Sequence, residues 1–402
     1  MTSGDPRSVE AIDIYRNAIR AGELRRTPRG AVFEYDTAFY EAHHDLPGGL
    51  ALHLPYAPKT IETQGVNLHT YFAGLIPEGL RLRSLLARTK TSADDLFTLL
   101  VAAGSNCVGD LFPILPGEKV EPFKTELEER SPLDQVSFRE LFRISLGSSH
   151  EPSVPGVQDK LSPSVISIPL ATPGKRWILK LNPADKPLLV ENEHFFMTMA
   201  TACGFDAAKT FLVRDKDNAA GLLVERFDRE RKGRQWRGIH QEDACQFLNR
   251  YPADKYNLKT HEVAQALEVC DSPAAERARL IDLTAFSYLV GNGDLHGKNI
   301  SVSAAHNSLQ LSPLYDVLST RPYLDLHLAL KIEGRDDNLK RAHLIDFGRR
   351  FNLPARAIAS RLDRMIGLAA PFIARVKEIG FEPRTTKLLI DLMKRRLADL
   401  QG

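Results

Sequence analysis

The sequence has little of what marks most alternative classes of protein. None of its apolar runs approaches the roughly 20 residues of a bilayer-crossing helix. The opening Met1-Thr2-Ser3-Gly4-Asp5-Pro6-Arg7 lacks the charged-then-apolar layout of a secretory leader, so a cytoplasmic chain with no membrane contact is expected. Cysteine is sparse: Cys107, Cys203, Cys245 and Cys270 are far apart and show no C-x-x-C spacing. That argues against a disulfide framework or a cysteine-built zinc site and leaves four buried thiols as the expectation. Zinc-hydrolase chemistry is missing as well, because His261-Glu262 has no second histidine at H-E-x-x-H spacing. His43-His44 reads as part of a polar loop with no ligand partner. Neither G-x-x-x-x-G-K-[ST] nor G-x-G-x-x-G occurs, which removes the two commonest glycine-rich phosphate loops. A net charge of +2 with no dense basic block gives little support for autonomous nucleic-acid binding, although a local basic patch could still touch phosphates. Internal repeats and low-complexity segments are absent too.

What is present is an ordinary globular composition, 43% hydrophobic and 26% charged, over 402 residues, a length that predicts two or three substructures rather than one core. From about Ala21 to Gly117 strand-like runs such as Gly30–Tyr35 mix with helical spacing around Ala93 to Ala102. Pro113, Pro116 and Gly117, followed by the charged run Glu118 to Arg130, read as a boundary. Val165–Ile168, a turn at Ala171–Gly174 and Arg176–Leu181 predict a β-hairpin. A helix over Glu191 to Cys203 follows, with Gly204 as its stop, and then a buried strand at Leu222–Val224. Beyond Asp228 the apolar periodicity is helical, except for a Gly/Asn-rich island at 291–317. A β-rich lobe, a short hinge and a helical lobe with one irregular loop make a layout used for nucleotide-dependent phosphoryl transfer.

The island carries the chemistry. In Gly291-Asn292-Gly293-Asp294-Leu295-His296-Gly297-Lys298-Asn299, Asp294 and Asn299 keep the D-x-x-x-x-N spacing of a kinase catalytic loop. There the aspartate orients the acceptor hydroxyl and the asparagine amide oxygen reaches a magnesium ion. A second carboxylate, Asp316, follows seventeen residues after Asn299 and suits a hard cation shared with phosphate oxygens. Asp346-Phe347-Gly348 spells the familiar magnesium tripeptide but lies 47 residues beyond Asn299 and runs into Arg349–Pro354, which reads as a helix end. Lys180, at the end of the hairpin strand, fits a phosphate-contacting lysine, and Glu193 on the next helix fits its partner. Glu193 is equally a first-turn acid favoured by the helix dipole. Ser153-Val154-Pro155-Gly156-Val157-Gln158-Asp159-Lys160 is the candidate phosphate-covering loop, and Glu225-Arg226-Phe227-Asp228 the candidate hinge.

These stretches, with Phe72–Gly79, Gly104–Asp110, Val224–Arg229 and Gln241–Gln246, resemble the HipA toxins. The resemblance implies an α+β, protein-kinase-like two-lobed fold carrying an additional α+β N-terminal subdomain. It divides the chain into an N-terminal subdomain at 1–120, a kinase N-lobe at 121–227 and a helical C-lobe at 228–402. It further implies ATP and Mg2+ as cofactors, Asp294 as the catalytic acid/base, and Asn299 and Asp316 as metal ligands. The nucleotide-binding residues so assigned are Val154, Pro155, Gly156, Val157, Gln158, Asp159, Lys160, Lys180, Glu193, Glu225, Arg226, Phe227, Asp228, His296 and Lys298. Ser153 would be the autophosphorylation site, an off-switch that works because phosphoserine is repelled by the triphosphate. The implied partners are a HipB-type helix-turn-helix antitoxin, operator DNA only through that complex, and a protein substrate such as glutamyl-tRNA synthetase. Asn292-Gly293 in place of His-Arg before Asp294 argues against control by an arginine-anchored activation-loop phosphate, and Val317-Leu318 after Asp316 leaves switching of that segment open. Two alternatives also stay open at this stage. One is a small-molecule kinase of the aminoglycoside or choline type, whose loop is similar to 293–299; the other is a catalytically inactive binding protein.

Overall fold

In the computed structural model, which describes residues 5–45, 49–56, 58–65, 68–104, 107–118, 131–145, 166–233, 235–305, 308–325 and 327–402, the chain begins with a sheet. Strands β1 (Ala11–Arg16), β2 (Ile19–Thr27) and β3 (Gly30–Tyr35) lead into helix α1 (Thr37–His43), the small hairpin β4 (Gly49–Ala51) and β5 (Leu54–Pro55), and strand β6 (Thr60–Gln64). Helices α2 (Thr70–Gly74), α3 (Gly79–Thr89) and α4 (Leu96–Ala103) and strand β7 (Leu111–Ile114) complete this unit. The sheet runs β6-β3-β2-β1-β7 and is antiparallel throughout. Alternation along the strands puts Ile12, Ile14, Ala31 and Phe33 into a core shared with Phe72, Leu99 and Leu100 of the helices. Asp36 and Asp95 cap α1 and α4 by accepting from the amides of Phe39 and Thr98 at 3.1 and 3.2 Å.

Three expectations need correction here. The sheet starts at Ala11 rather than near Ala21. His43 closes α1 instead of lying in a loop, its Nδ1 2.6 Å from the Phe39 carbonyl. Pro113, read as part of the boundary, pairs with Ile14 inside β7, a position open to proline because β7 is an edge strand. Beyond Glu118 the charged run to Arg130 lies outside the described residues.

The middle of the chain contains α5 (Phe138–Ser145), β8 (Ile166–Thr172), β9 (Lys175–Leu181), α6 (Leu189–Ala202), β10 (Thr210–Arg214) and β11 (Ala220–Glu225). The strands form a second antiparallel sheet in the order β10-β11-β9-β8. The expected hairpin is present, Thr172 pairing with Lys175 across Pro173-Gly174. Period-two alternation in β9 sends Trp177, Leu179 and Leu181 to a core with Phe138 and Leu141 of α5, which leaves Ile178 and Lys180 on the opposite face. Helix α6 packs against β9 and β11, burying Val190, Phe196, Met199 and Ala200.

After this sheet the chain forms a polar ribbon, β12 (Arg229–Lys232) with β13 (Gln235–Gly238), then β14 (Gln241–Asp243), α7 (Ala244–Phe247), α8 (Thr260–Ala266) and α9 (Pro273–Val290). Strands β15 (Ser301–Ser303) and β16 (Gln310–Leu311) make a small sheet with β14, and α10 (Arg341–Arg350), α11 (Ala355–Arg375) and α12 (Pro383–Gln401) close the helical lobe. Proline at the first helical position of α9 and α12 costs nothing, because that amide has no intrahelical partner. The large core links α6 to α9, α11 and α12, so the sheet and the helical lobe share one apolar interior. Asp346-Phe347-Gly348 is indeed helical, in α10, with Phe347 fully buried and Asp346 paired to Arg349 at 3.0 Å. All four cysteines are buried and unbridged.

Candidate functional site

Because it faces away from the α5 core, Lys180 meets α6. Its ammonium lies 2.8 Å from Glu193 Oε1, which is 1% exposed, and also pairs with Asp316. Residues of β9, of α6 and of the segment after β16 therefore meet in one ion cluster, with Lys180 and Glu193 buried and Asp316 partly exposed. Burial alone would lower the Lys180 pKa, but the carboxylates of Asp316 and Glu193 outweigh it and hold the ammonium protonated. Glu193 is pushed up, chiefly by burial and further by the charge of Asp316, against the pull of Lys180.

The loop carrying Asp294 is set by the end of α9. Gly291 takes φ +75 to close the helix, its amide donating to the Ser287 and Tyr288 carbonyls, a conformation that glycine adopts without strain. Asn292, 1% exposed, accepts from the Asp294 amide at 2.9 Å. At Gly293 a Cβ would sit 2.5 Å from Asp325 Oδ2 and 2.6 Å from the His327 carbonyl, so only glycine allows the later segment to close over the loop. Thr320 Oγ1 accepts from the Gly293 amide at 2.8 Å, and its own amide donates to the Gly291 carbonyl at 3.0 Å. Asn299 lies in a 3-10 turn over Gly297–Asn299 and donates from Nδ2 to the Asp294 carbonyl at 2.8 Å, which leaves Oδ1 as its remaining acceptor. The Asp294 carboxyl is raised by burial first and by Asp316 next, while His296 and Tyr256 act the other way.

Asp316 adopts φ +56, a left-handed conformation that costs a non-glycine residue and concentrates at functional sites. Its neighbours fix it there. The Tyr315 hydroxyl donates to the Lys298 carbonyl at 2.8 Å and lies 2.6 Å from Ser301 Oγ. Asn192 of α6 clamps Ser319 from both sides, donating to its carbonyl at 2.8 Å and accepting from its amide at 3.1 Å. Neither Asn192 nor Thr320 was identified from the sequence. Asn299 and Asp316 offer hard oxygen donors of the type magnesium takes, one amide and one carboxylate. Among the described residues no group of three or more His, Cys, Asp and Glu converges on a metal position. A magnesium ion held by one or two protein oxygens together with nucleotide phosphates needs no such group.

Other assigned residues are placed differently. Asp228 and Arg226, assigned to nucleotide binding, lie in a buried cluster against the N-terminal unit. Both Asp228 oxygens are engaged there, by Arg226 at 2.9 and 2.6 Å, by Arg229 at 2.8 Å and by the Gly109 amide at 3.1 Å. Arg226 also donates to the Cys107 carbonyl at 3.1 Å. Burial would raise the Asp228 carboxyl, but the two guanidiniums hold it far below the usual carboxylate range. Lys298 is likewise occupied, 3.1 Å from both Asp243 Oδ2 and the Gly74 carbonyl. Glu225 pairs with Lys175 at 3.1 Å, and the Phe227 ring packs on Tyr315 with centroids 5.6 Å apart. His296 is 5% exposed, with Nε2 3.7 Å from Asp294 Oδ1. Ser153 and the loop Val154 to Lys160 lie outside the described residues.

A two-lobed, protein-kinase-like fold with an additional N-terminal α+β unit is what this architecture defines. Residues 152–371 match the HipA-like C-terminal domain and residues 12–112 the HipA N-terminal domain. Similar proteins include Y4mE of Sinorhizobium fredii, named as a kinase and 31% identical over 356 residues, 82% of each chain. The serine/threonine-protein kinase toxin HipA of Shewanella oneidensis is 25% identical over 337 residues, 76% of each chain. The solved complex of Shewanella oneidensis HipA with HipB and operator DNA superposes with a TM-score of 0.73 at 20% identity, over 97% of this chain and 96% of that one, a likeness of fold. The chain belongs to the HipA family.

Proposed function

We propose that this chain is an ATP- and Mg2+-dependent serine/threonine protein kinase acting as a HipA-type toxin. The observation that carries the reading is the ion cluster in which buried Lys180 joins Glu193 to Asp316, with the charge of Asp294 close enough to act on Glu193. In this reading Asp294 takes the proton of an acceptor hydroxyl as its oxygen bonds to the γ-phosphorus. The bond from that phosphorus to the ADP oxygen then breaks. Lys180, oriented by Glu193, holds the α- and β-phosphates. Asn299 and Asp316 would hold magnesium, which would neutralise charge on the phosphates when bound.

The wider role rests on family membership. We keep the division of the chain at 120 and 227, a cytoplasmic location, and Ser153 as an autophosphorylated off-switch within this proposal. The target would be an aminoacyl-tRNA synthetase such as the glutamyl enzyme. A HipB-type antitoxin would hold the chain and connect it to operator DNA, in keeping with the composition of the Shewanella complex. The test is incubation with γ-labelled ATP, magnesium and a bacterial extract, followed by mass spectrometry. Label on protein serine or threonine, lost with Asp294→Asn, is the expected result. Transfer only to a sugar or amino alcohol would overturn the protein-kinase reading.

A further inference from the structure

Tyr256 has no part in the set of residues so far assigned, yet it makes a direct hydrogen bond to the carboxylate on which the chemistry turns. Its hydroxyl donates to Asp294 Oδ1 at 3.1 Å. It is the one side-chain hydrogen bond to that carboxylate among the described residues, and it leaves Oδ2 for an acceptor. The tyrosine sits on the loop between α7 and α8, which is built to hold still. The Lys255 carbonyl accepts from the Gly297 amide of the catalytic loop at 2.9 Å. Lys255 itself pairs with Glu78 of the N-terminal unit at 2.9 Å, its ammonium 5.4 Å from the Tyr256 ring centroid. Tyr251 reaches the Leu68 carbonyl at 3.0 Å, and buried Leu258 packs at Gly297, where a Cβ would meet its Cδ1 at 2.5 Å. The Tyr256 ring stands edge-on to His296, centroids 5.0 Å apart. At 53% exposed, the tyrosine contributes little to the core, so packing does not account for its placement.

We propose that Tyr256 is the positioning residue for Asp294: its phenol fixes Oδ1 so that Oδ2 faces the acceptor hydroxyl. A carboxylate free to rotate spends much of its time misaligned, and a single fixed hydrogen bond removes that freedom before the acceptor arrives. The Lys255–Glu78 contact then ties the alignment of Asp294 to the N-terminal unit, a role for that unit inside the reaction itself.

This inference rests on the phosphoryl-transfer reading, and the experiment separates the two. Tyr256→Phe keeps the ring and removes only the hydroxyl. The measurement is γ-phosphate leaving labelled ATP with magnesium and no added acceptor, counted as free phosphate plus phosphate on the chain. Hydrogen bonds to charged groups correspond to about a tenfold to hundredfold loss of turnover. The expected result is such a loss with KM for ATP and the melting temperature unchanged. In an Asp294→Asn background the same substitution should cost nothing further, because the group it positions is gone. Turnover within twofold of the parent, a proportionate rise in KM for ATP, or an undiminished loss in the Asp294→Asn background overturns the positioning role alone. Absence of Asp294-dependent turnover in the parent chain overturns the phosphoryl-transfer reading, and this inference with it.

Discussion

Lys180 is a buried cation with two carboxylates on it, and removing either side tests a different step. Lys180→Met leaves Glu193 buried without its partner and, in the proposed reaction, takes away the phosphate contact. We expect kcat/KM for ATP to fall by about tenfold to a hundredfold, as for other hydrogen bonds between charged groups. Glu193→Gln keeps the Asp316 contact and should cost less, about tenfold, seen mainly as a rise in KM for ATP in steady-state kinetics. That Lys180 would meet Glu193, and that Asp294 and Asn299 would share one loop, was legible, because strand and helix placement bring the first pair together and the D-x-x-x-x-N spacing is local. Asn192, Thr320 and Tyr256 were not, since each acts on a backbone group or on another side chain across a long sequence separation, which leaves no local pattern. Asp228 and Lys298, read as nucleotide contacts, show the converse, since their charges are already paired within the protein. A charged residue beside a hinge or catalytic loop looks like a ligand contact in sequence, yet these two neutralise buried partners.

At the scale of elements, the hinge after β11 is anchored to the loop before β7 by Asp228, Arg226 and Arg229. Asp228→Ala would remove the carboxylate that both buried guanidiniums share, a loss on the order of 3–5 kcal/mol in denaturant unfolding. A change under about 1 kcal/mol would contradict this account, because it would place the cluster in the range of exposed ion pairs. The helices of the C-terminal lobe were readable from their 3.6-residue apolar spacing, and β8, β9 and β11 from β-branched and aromatic runs. Strand β1 and the ribbon β12–β13 escaped notice. In β1 the alternation is short: Ile12 and Ile14 point inward around Asp13, which pairs with Arg20 across the sheet at 2.6 Å, and the register shifts between Ile14 and Tyr15. The strand Arg229–Lys232 is charged at every position and gains its shape from pairing with its neighbour, not from an apolar face.

For the whole molecule, the question is how the N-terminal unit is held against the kinase lobes. His240 lies 3.1 Å from Asp110 of the first and 2.9 Å from Glu242 of the second, and Glu242 also accepts from the Leu52 amide at 2.8 Å. Burial would lower the imidazole, but the two carboxylates prevail and its pKa is pushed up to about 10. A group protonated more readily folded than unfolded stabilises fully below its unfolded value of about 6.5, and that contribution is lost as pH rises through the folded value. The melting temperature of the parent relative to His240→Gln should therefore be highest near pH 6 and decline towards pH 10. A difference flat across that range would contradict a charged His240.

A crystal structure with magnesium and a non-hydrolysable ATP analogue tests the central claim most directly. The account predicts a metal about 2.0–2.1 Å from oxygens of both Asn299 and Asp316, the geometry magnesium demands, with Lys180 on the α- and β-phosphates and Asp294 facing the γ-phosphate. A nucleotide bound elsewhere, or a metal that neither Asn299 nor Asp316 touches, would contradict it.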